Sequence, residues 1–281
     1  MRCRMYLAAR VAATTALLAW LTTNVALAEP SNNQAEQVQQ ISLYHSSGST
    51  TDIGLKAVNE NLARVGVRVS QVALADGAKE IIKHSESRSL TAEESDDLIQ
   101  QFYLGRRELL EEIHSAGRQP EMHRGGYLQT SEIDVPPYPK VYDMRALDQE
   151  TTSYLKRKFG KLHVNSSEAG VGIDEVMTIV SGGPYTWFFV LEDNSVGKLR
   201  LPAVRGDGKA WRISYPGLVP HGGYFDAPHG LVVAYAHGPR HFVMRYEDTS
   251  VQGHETLGDN PWIDFSQDDP VLLESPSTAA E

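Results

Sequence analysis

The sequence offers almost no thiol chemistry, because only one of its 281 residues, Cys3, is a cysteine. A single thiol can form neither an internal disulfide nor a Cys-rich zinc site. Basic residues are also few: 26 Lys and Arg stand against 36 Asp and Glu, which gives a formal net charge of −10. Nucleic-acid binders present a basic surface, so this balance argues against a general nucleic-acid partner.

Several catalytic signatures are missing from the chain. It contains no G-x-S-x-G nucleophile motif, no H-E-x-x-H zinc motif and no phosphate-binding loop. Their absence disfavours an α/β-hydrolase, a metalloprotease of the H-E-x-x-H type and a P-loop enzyme. Hydrophobic residues at 41% and aromatic residues at 8% are ordinary for a globular protein, so the composition does not indicate a disordered chain.

The first 28 residues have the pattern of a secretory signal peptide. Three arginines precede a mostly apolar run from Val11 to Thr23, and Ala26-Leu27-Ala28 supplies the small residues that favour cleavage before Glu29. The apolar run is shorter than the roughly 20 residues that span a bilayer, and no later stretch is long enough. We therefore expect a periplasmic or secreted protein with no membrane span after cleavage. The mature chain, from residue 29, would contain no cysteine.

The region from residue 29 to 125 is predicted to be mainly helical. Leu55, Val58 and Leu62 recur on one helix face, and Gly66 would end that helix. Thr91 and Glu94 form a T-x-x-E capping box. The helix that they begin is expected to run through Ile113 with a bend at Gly105. No catalytic motif lies in this region.

From residue 126 to about 250 the pattern changes to short strands. Apolar and β-branched runs such as 175–181, 185–191 and 230–236 are separated by turns that carry Gly, Asp and Pro. Strands at this spacing predict a sandwich or a barrel. Residues 251–281 are predicted to be an acidic C-terminal tail, because no Lys or Arg follows Arg245. An extended, solvated tail is expected, with Trp262 and Ile263 docking part of it.

Two motifs in the strand region resemble those of the cupin superfamily. His163-Val164-Asn165 is followed by Glu175, six residues and Gly182, which is similar to the family's first motif, H-x-H, a gap, E, six residues, G. The stretch from Pro216 to His221 is close to the second motif, P-x-G-x-x-H-x-x-x-N. Asn165 replaces the second histidine of the first motif, the gap before Glu175 is longer, and the final Asn of the second motif is missing. The resemblance covers about residues 139–247.

This resemblance implies a fold and a metal site. The fold class would be α+β, with a helical N-terminal region followed by a cupin-like antiparallel β-barrel of the jelly-roll type. His163, Asn165, Glu175 and His221 would hold a divalent metal, and Glu175 and His221 would be catalytic. Nitrogen and oxygen ligands of this kind suit Fe, Mn, Ni or Zn. Two further residues are candidate ligands: His229, in a loop, and Glu168, in the gap of the first motif. Without a metal, His221 would simply close a turn and Glu175 would lie at a solvent edge.

Three functions fit these patterns. The first is an exported metal-dependent cupin-like enzyme of the dioxygenase, isomerase or lyase type, acting on a small organic molecule. The second is a non-catalytic exported protein that binds a small ligand in a cupin-like pocket, which Asn165 favours. The third places the function in a partner-binding N-terminal region. Cupin-like barrels often pair, so a homodimer is also expected.

Overall fold

The computed structural model describes residues 40–48, 50–119, 125–126, 129–130, 138–206, 208–225 and 227–277. The predicted signal peptide, residues 1–28, lies outside them. The helices are α1 (Leu55–Leu62), α2 (Lys79–Ser85), α3 (Ala92–Gln101), α4 (Arg106–Ser115) and α5 (Gln149–Gly160). The strands are β1 (Ser42–His45), β2 (Thr51–Ile53), β3 (Arg68–Ala73), β4 (Gly125–Gly126), β5 (Gln129–Thr130), β6 (Lys140–Asp143), β7 (Val164–Ser166), β8 (Asp174–Gly182), β9 (Tyr185–Val190), β10 (Val196–Leu201), β11 (Lys209–Tyr215), β12 (His221–Tyr224), β13 (Gly230–His237), β14 (His241–Arg245), β15 (Ile263–Asp264) and β16 (Val271–Leu272).

Two antiparallel sheets hold Glu175 and His221, whereas Asn165 lies on β7 of a third sheet, of order β5-β14-β7. The first has the order β12-β9-β10-β1-β2, and the second has the order β3-β11-β8-β13, with β4 and β6 both paired to β13. Side chains of both sheets meet in one buried core, to which Leu199 and Phe189 come from the first sheet and Ile179 and Ile213 from the second. The sheets therefore pack face to face, as in a sandwich.

Strand β9 is buried on both faces. Along β9, Tyr185, Trp187 and Phe189 point into the core between the sheets, whereas Phe188 and Val190 pack into a smaller cluster on the other side. This alternation follows from the two-residue period of a strand. Because both faces are buried, β9 is a nearly continuous apolar run in the sequence.

The expected closed barrel is not formed by the described residues, which instead build separate antiparallel sheets. Helix α1 lies along the open side, where it contacts β1 and β2 of one sheet and β3 of the other. Its Val58 and Leu62 are buried in the shared core. Asn59 exchanges two hydrogen bonds of 2.8 Å with the backbone of Val69, so a helical side chain satisfies the edge strand β3.

The first part of the chain supplies strands to both sheets as well as helices. β1 pairs with β10, and β3 pairs with β11. Helices α3 and α4 bury Leu98 and Leu109 against the outer face of the second sheet. The predicted capping box is confirmed, since Thr91 and Glu94 each bond the other's backbone N–H. The predicted single helix with a bend is wrong, because α3 ends at Gln101 and Gly105 is the N-cap of α4.

The expectation of an extended, solvated C-terminal tail is wrong for residues 251–277. Trp262 and Ile263 are buried, as predicted, and the indole of Trp262 donates to the carbonyl of Val196 at 2.8 Å. The buried ammonium of Lys198 lies 4.3 Å from the centre of the Trp262 ring and donates to the carbonyls of Leu273 and Glu274. Burial lowers the pKa of Lys198 to about 8. The segment is thus folded onto the first sheet.

Helix α5, which the sequence patterns did not predict, leads directly into the site. Asp148 caps its first turn by accepting from the backbone of Thr151 at 2.7 Å. Its last residue, Gly160, stands three positions before His163. Among the helices that the structure describes, none is both long enough and apolar enough to cross a bilayer.

Candidate functional site

The two predicted histidine ligands are neighbours in the fold, although 58 positions of sequence numbering separate them. His163 lies just before β7 and His221 begins β12. Each donates its backbone N–H to the carbonyl of the other at 2.9 Å, so a short antiparallel bridge sets their separation. Their ring centres are 4.6 Å apart, and both side chains are buried.

Backbone carbonyls fix which nitrogen of each ring carries its hydrogen. Nδ1 of His163 donates to the carbonyl of Lys161 at 2.8 Å, and Nδ1 of His221 donates to the carbonyl of Val219 at 2.7 Å. In both rings Nε2 is therefore the nitrogen left to bind a metal. This is the arrangement by which proteins orient histidines that bind metals.

Glu175 and Asn165 stand beside His221. Glu175 projects from β8, and its Oε2 lies 3.4 Å from Nε2 of His221. Asn165, on β7, places its Nδ2 2.8 Å from Oε2 of Glu175 and 3.2 Å from Nε2 of His221. The amide nitrogen thus sits between the carboxylate and the imidazole. Glu175 and His221 are almost fully buried, so the alternative of a solvent-edge carboxylate and a turn histidine is wrong.

A tyrosine that lies outside both motifs completes this cluster. The hydroxyl of Tyr138 donates to Oε1 of Glu175 at 2.5 Å, and the tyrosine is buried. Burial, reinforced by the negative charge of Glu175, raises the pKa of Tyr138 well above its ordinary value, so the hydroxyl keeps its proton. The sequence signal was weak, because nothing in Pro136-Pro137-Tyr138-Pro139 connects it with β8.

All four predicted ligands line one cavity of about 50 Å³. A water needs roughly 10–15 Å³ of such space, so the cavity has room for an ion with a few small ligands rather than for a large substrate. The remaining lining is mostly aromatic: Tyr138, Tyr142, Phe159, Met177, Trp187, Tyr215, Gly222, Phe225, Val232 and Met244. The two reserve ligands lie elsewhere, since Glu168 is exposed and His229 is absent from the lining.

Burial controls the charges in this cavity. Desolvation, together with the nearby His221, lowers the pKa of His163 to about 3, so this imidazole is neutral at physiological pH. Burial alone would raise the pKa of Glu175, but its hydrogen bond and charge interaction with His221 and the bond from Tyr138 outweigh it, so the pKa is below its ordinary value. The site therefore pairs one neutral imidazole, that of His163, with the carboxylate of Glu175.

The side chains as they stand do not form a complete set of metal ligands. In the part of the chain that the structure describes, no three His, Cys, Asp or Glu side chains form a group that could hold a metal ion. One further oxygen lies in the cluster: the buried Oδ1 of Asn165 has no hydrogen-bond partner. Rotating the amide would turn this oxygen toward Glu175 and His221 and remove the N–H from between them. Two imidazole nitrogens and two oxygens would then face one point, and such a ligand set suits divalent Fe, Mn, Ni or Zn.

Comparisons with known proteins give a likeness to solved structures but no family. No family model matches the chain, and no curated protein matches it. Among solved structures, the chain is similar to an acireductone dioxygenase from Bacillus anthracis with a cadmium ion in its active center. The match covers 74% of this chain and 99% of that chain, at 17% identity and a TM-score of 0.48.

Proposed function

We propose that this protein is an exported metal-dependent enzyme with a cupin-like site that acts on a small organic molecule. The observation that carries the proposal is the pair of buried histidines whose Nδ1 atoms are both held by backbone carbonyls, beside a buried carboxylate in one cavity. Neutral imidazoles and a carboxylate are ligands of Fe, Mn, Ni and Zn sites that leave positions open for substrate. The residues that would hold the metal are His163, Asn165, Glu175 and His221.

Each part of the cavity has a task in such an enzyme. A bound divalent metal would act as a Lewis acid and template. The carbonyls of Lys161 and Val219 keep both imidazoles in one tautomer. The aromatic walls exclude water and pack against the apolar body of a substrate, which strengthens electrostatic interactions in the cavity. Oxygen-dependent cleavage, isomerisation and lyase chemistry are the reaction types that we propose for it.

The test is the metal content of the purified protein, measured by mass spectrometry in the wild type, His163→Ala and His221→Ala. We expect near-stoichiometric metal in the wild type and loss of most of it in both variants, because each removes one nitrogen ligand. His254→Ala is the matched control, since its side chain is 39% exposed and lies outside the cavity lining. A wild type without metal after expression with added Fe, Mn, Ni and Zn would overturn the proposal.

A second function is favoured by the present position of Asn165. With its Nδ2 between Glu175 and His221, the cluster forms a hydrogen-bonded network without a metal. A protein that keeps this network would be a non-catalytic binder of a small ligand. The same measurement separates the two, because the binding protein would contain no metal and the alanine variants would leave its metal content unchanged.

A further inference from the structure

The two oxygens of Glu175 have different partners. Oε1 accepts the hydroxyl hydrogen of Tyr138 at 2.5 Å. Oε2 accepts from Nδ2 of Asn165 at 2.8 Å and lies 3.4 Å from Nε2 of His221. The hydroxyl of Tyr138 therefore holds Oε1, and Oε2 faces two of the remaining predicted ligands. The hydroxyl of Tyr215 is a second phenol that interacts with Glu175.

The position of Tyr138 is set by the second sheet. Tyr138 stands two residues before β6, which pairs with β13, and β13 pairs with β8, the strand of Glu175. Its ring is 3% exposed and lines the cavity. A buried phenol bonded to a buried carboxylate is costly to misplace, because either group left alone would lose its hydrogen bond without water to replace it. The contact is therefore a fixed part of the site.

We propose that Tyr138 is a positioning residue that restricts Glu175 to binding a metal through Oε2 alone. A carboxylate can bind a metal through one or both oxygens, and a hydrogen bond to one of them favours the single-oxygen mode. A coordination position then stays open for substrate. The inference rests on the proposed function, since it concerns the same metal site.

The test is a Co²⁺ titration of the purified, chelator-treated protein, followed by visible absorption, in the wild type and Tyr138→Phe. The variant keeps the ring and removes only the hydroxyl. We expect about 10- to 100-fold weaker Co²⁺ binding, as for other lost partners of metal ligands. We also expect weaker absorption per bound Co²⁺, because a carboxylate that binds through both oxygens raises the coordination number. A purely structural loss would not change this signature.

Tyr185→Phe is the matched control. Tyr185 is also buried, and its hydroxyl donates to a backbone carbonyl, that of Ser181, at 3.0 Å. The Tyr185→Phe variant loses a comparable hydrogen bond at a residue outside the cavity lining, so it should bind Co²⁺ like the wild type. Circular dichroism checks folding, and Tyr138→Met, which also lacks the hydroxyl, replaces Tyr138→Phe if that variant is unfolded.

The outcomes separate the two proposals. If the wild type binds Co²⁺ and the Tyr138 variant binds it with the same affinity and spectrum, the positioning role is overturned while the metal site stands. If the wild type binds no Co²⁺, the proposed function is overturned and the role of Tyr138 falls with it. Weakened binding with an altered spectrum in the Tyr138 variant alone supports both.

Discussion

At the scale of single residues, Asn165 has one end of its amide hydrogen-bonded and the other without a partner. Its Nδ2 bridges Glu175 and His221, and its Oδ1 is buried without a partner. A buried polar atom without a hydrogen bond costs about 1–3 kcal/mol. A cation between Glu175 and His221 would reverse the preference of the amide and satisfy Oδ1. A substitution that looks like a defect in the H-x-H pattern is thus compatible with a site of mixed nitrogen and oxygen ligands.

His163 gives a pH prediction at the same scale. Its pKa is about 3 in the folded chain because of burial, against an ordinary value of 6.5. Between these values the unfolded chain binds a proton that the folded chain does not. The contribution of His163 to stability is therefore complete above pH 6.5 and falls as the pH falls toward 3, by at most about 1.4 kcal/mol per pH unit.

Urea unfolding of chelator-treated protein between pH 7 and 4.5 measures this dependence. In the His163→Gln variant the glutamine does not titrate in that range. The free energy of unfolding of this variant should therefore fall less steeply with falling pH than that of the wild type. Equal slopes for the two proteins would contradict the assignment of a neutral, buried His163.

At the scale of elements, short strands and bridges position the ligands more than long helices do. The backbone exchange between His163 and His221 joins β12 to the segment before β7. Gly217 permits this approach: a Cβ there would lie 2.2 Å from the carbonyl oxygen of Ile173 and 2.3 Å from that of Asn165. Its carbonyl accepts the backbone N–H of Asn165 at 2.8 Å. The glycine of the second motif therefore has a steric reason to be there.

Helix α3 offers a test of local structure that leaves the site intact. Thr91→Ala removes the side-chain oxygen that accepts from the backbone N–H of Glu94 at 3.2 Å. We expect the free energy of unfolding to fall by about 1 kcal/mol, the usual value of an N-cap. Thr151→Ala is the control, because Thr151 is exposed and its backbone N–H is capped by Asp148. Denaturant unfolding that gives equal values for both variants would exclude a stabilising role for the capping box.

At the scale of the whole molecule, the C-terminal segment is part of the fold. Trp262 is 2% exposed and packs with Phe188, Val190 and Val196 in the cluster outside the first sheet. Asp269 lies 3.0 Å from the ammonium of Lys156 on α5. The segment therefore connects the first sheet with the helix that leads to His163.

Removing the anchor of this segment should destabilise the protein as a whole. Trp262→Ala deletes a buried indole, and such a change costs about 3–5 kcal/mol. Val271→Ala, at a residue that is 47% exposed in the same segment, should change stability by less than about 0.5 kcal/mol. The measurement is denaturant unfolding followed by circular dichroism. A Trp262 variant as stable as the Val271 variant would mean that the segment folds apart from the sheets.

By itself, the sequence determined what depends on neighbouring residues. The apolar runs of β8, β9, β11 and β13 predicted those strands, and T-x-x-E predicted the capping box, because strand alternation and helix capping act within a few residues. The predicted ligand residues also came from the sequence, through spacing that resembles a known motif. His163, Asn165, Glu175 and His221 do line one cavity.

Only the tertiary structure decided what depends on residues far apart in the chain. Tyr138 reaches Glu175 through two strand pairings, and no local pattern encodes them. The sequence predicted a solvated acidic segment after Arg245 because the partners of this segment are distant in the sequence. Lys156 lies 113 positions before Asp269, and Lys198 lies 75 positions before Leu273. Contacts between residues that are distant in the sequence decide which side chains are buried and which charges are paired. An acidic segment without Lys or Arg can therefore still fold and form ion pairs with basic residues elsewhere in the chain.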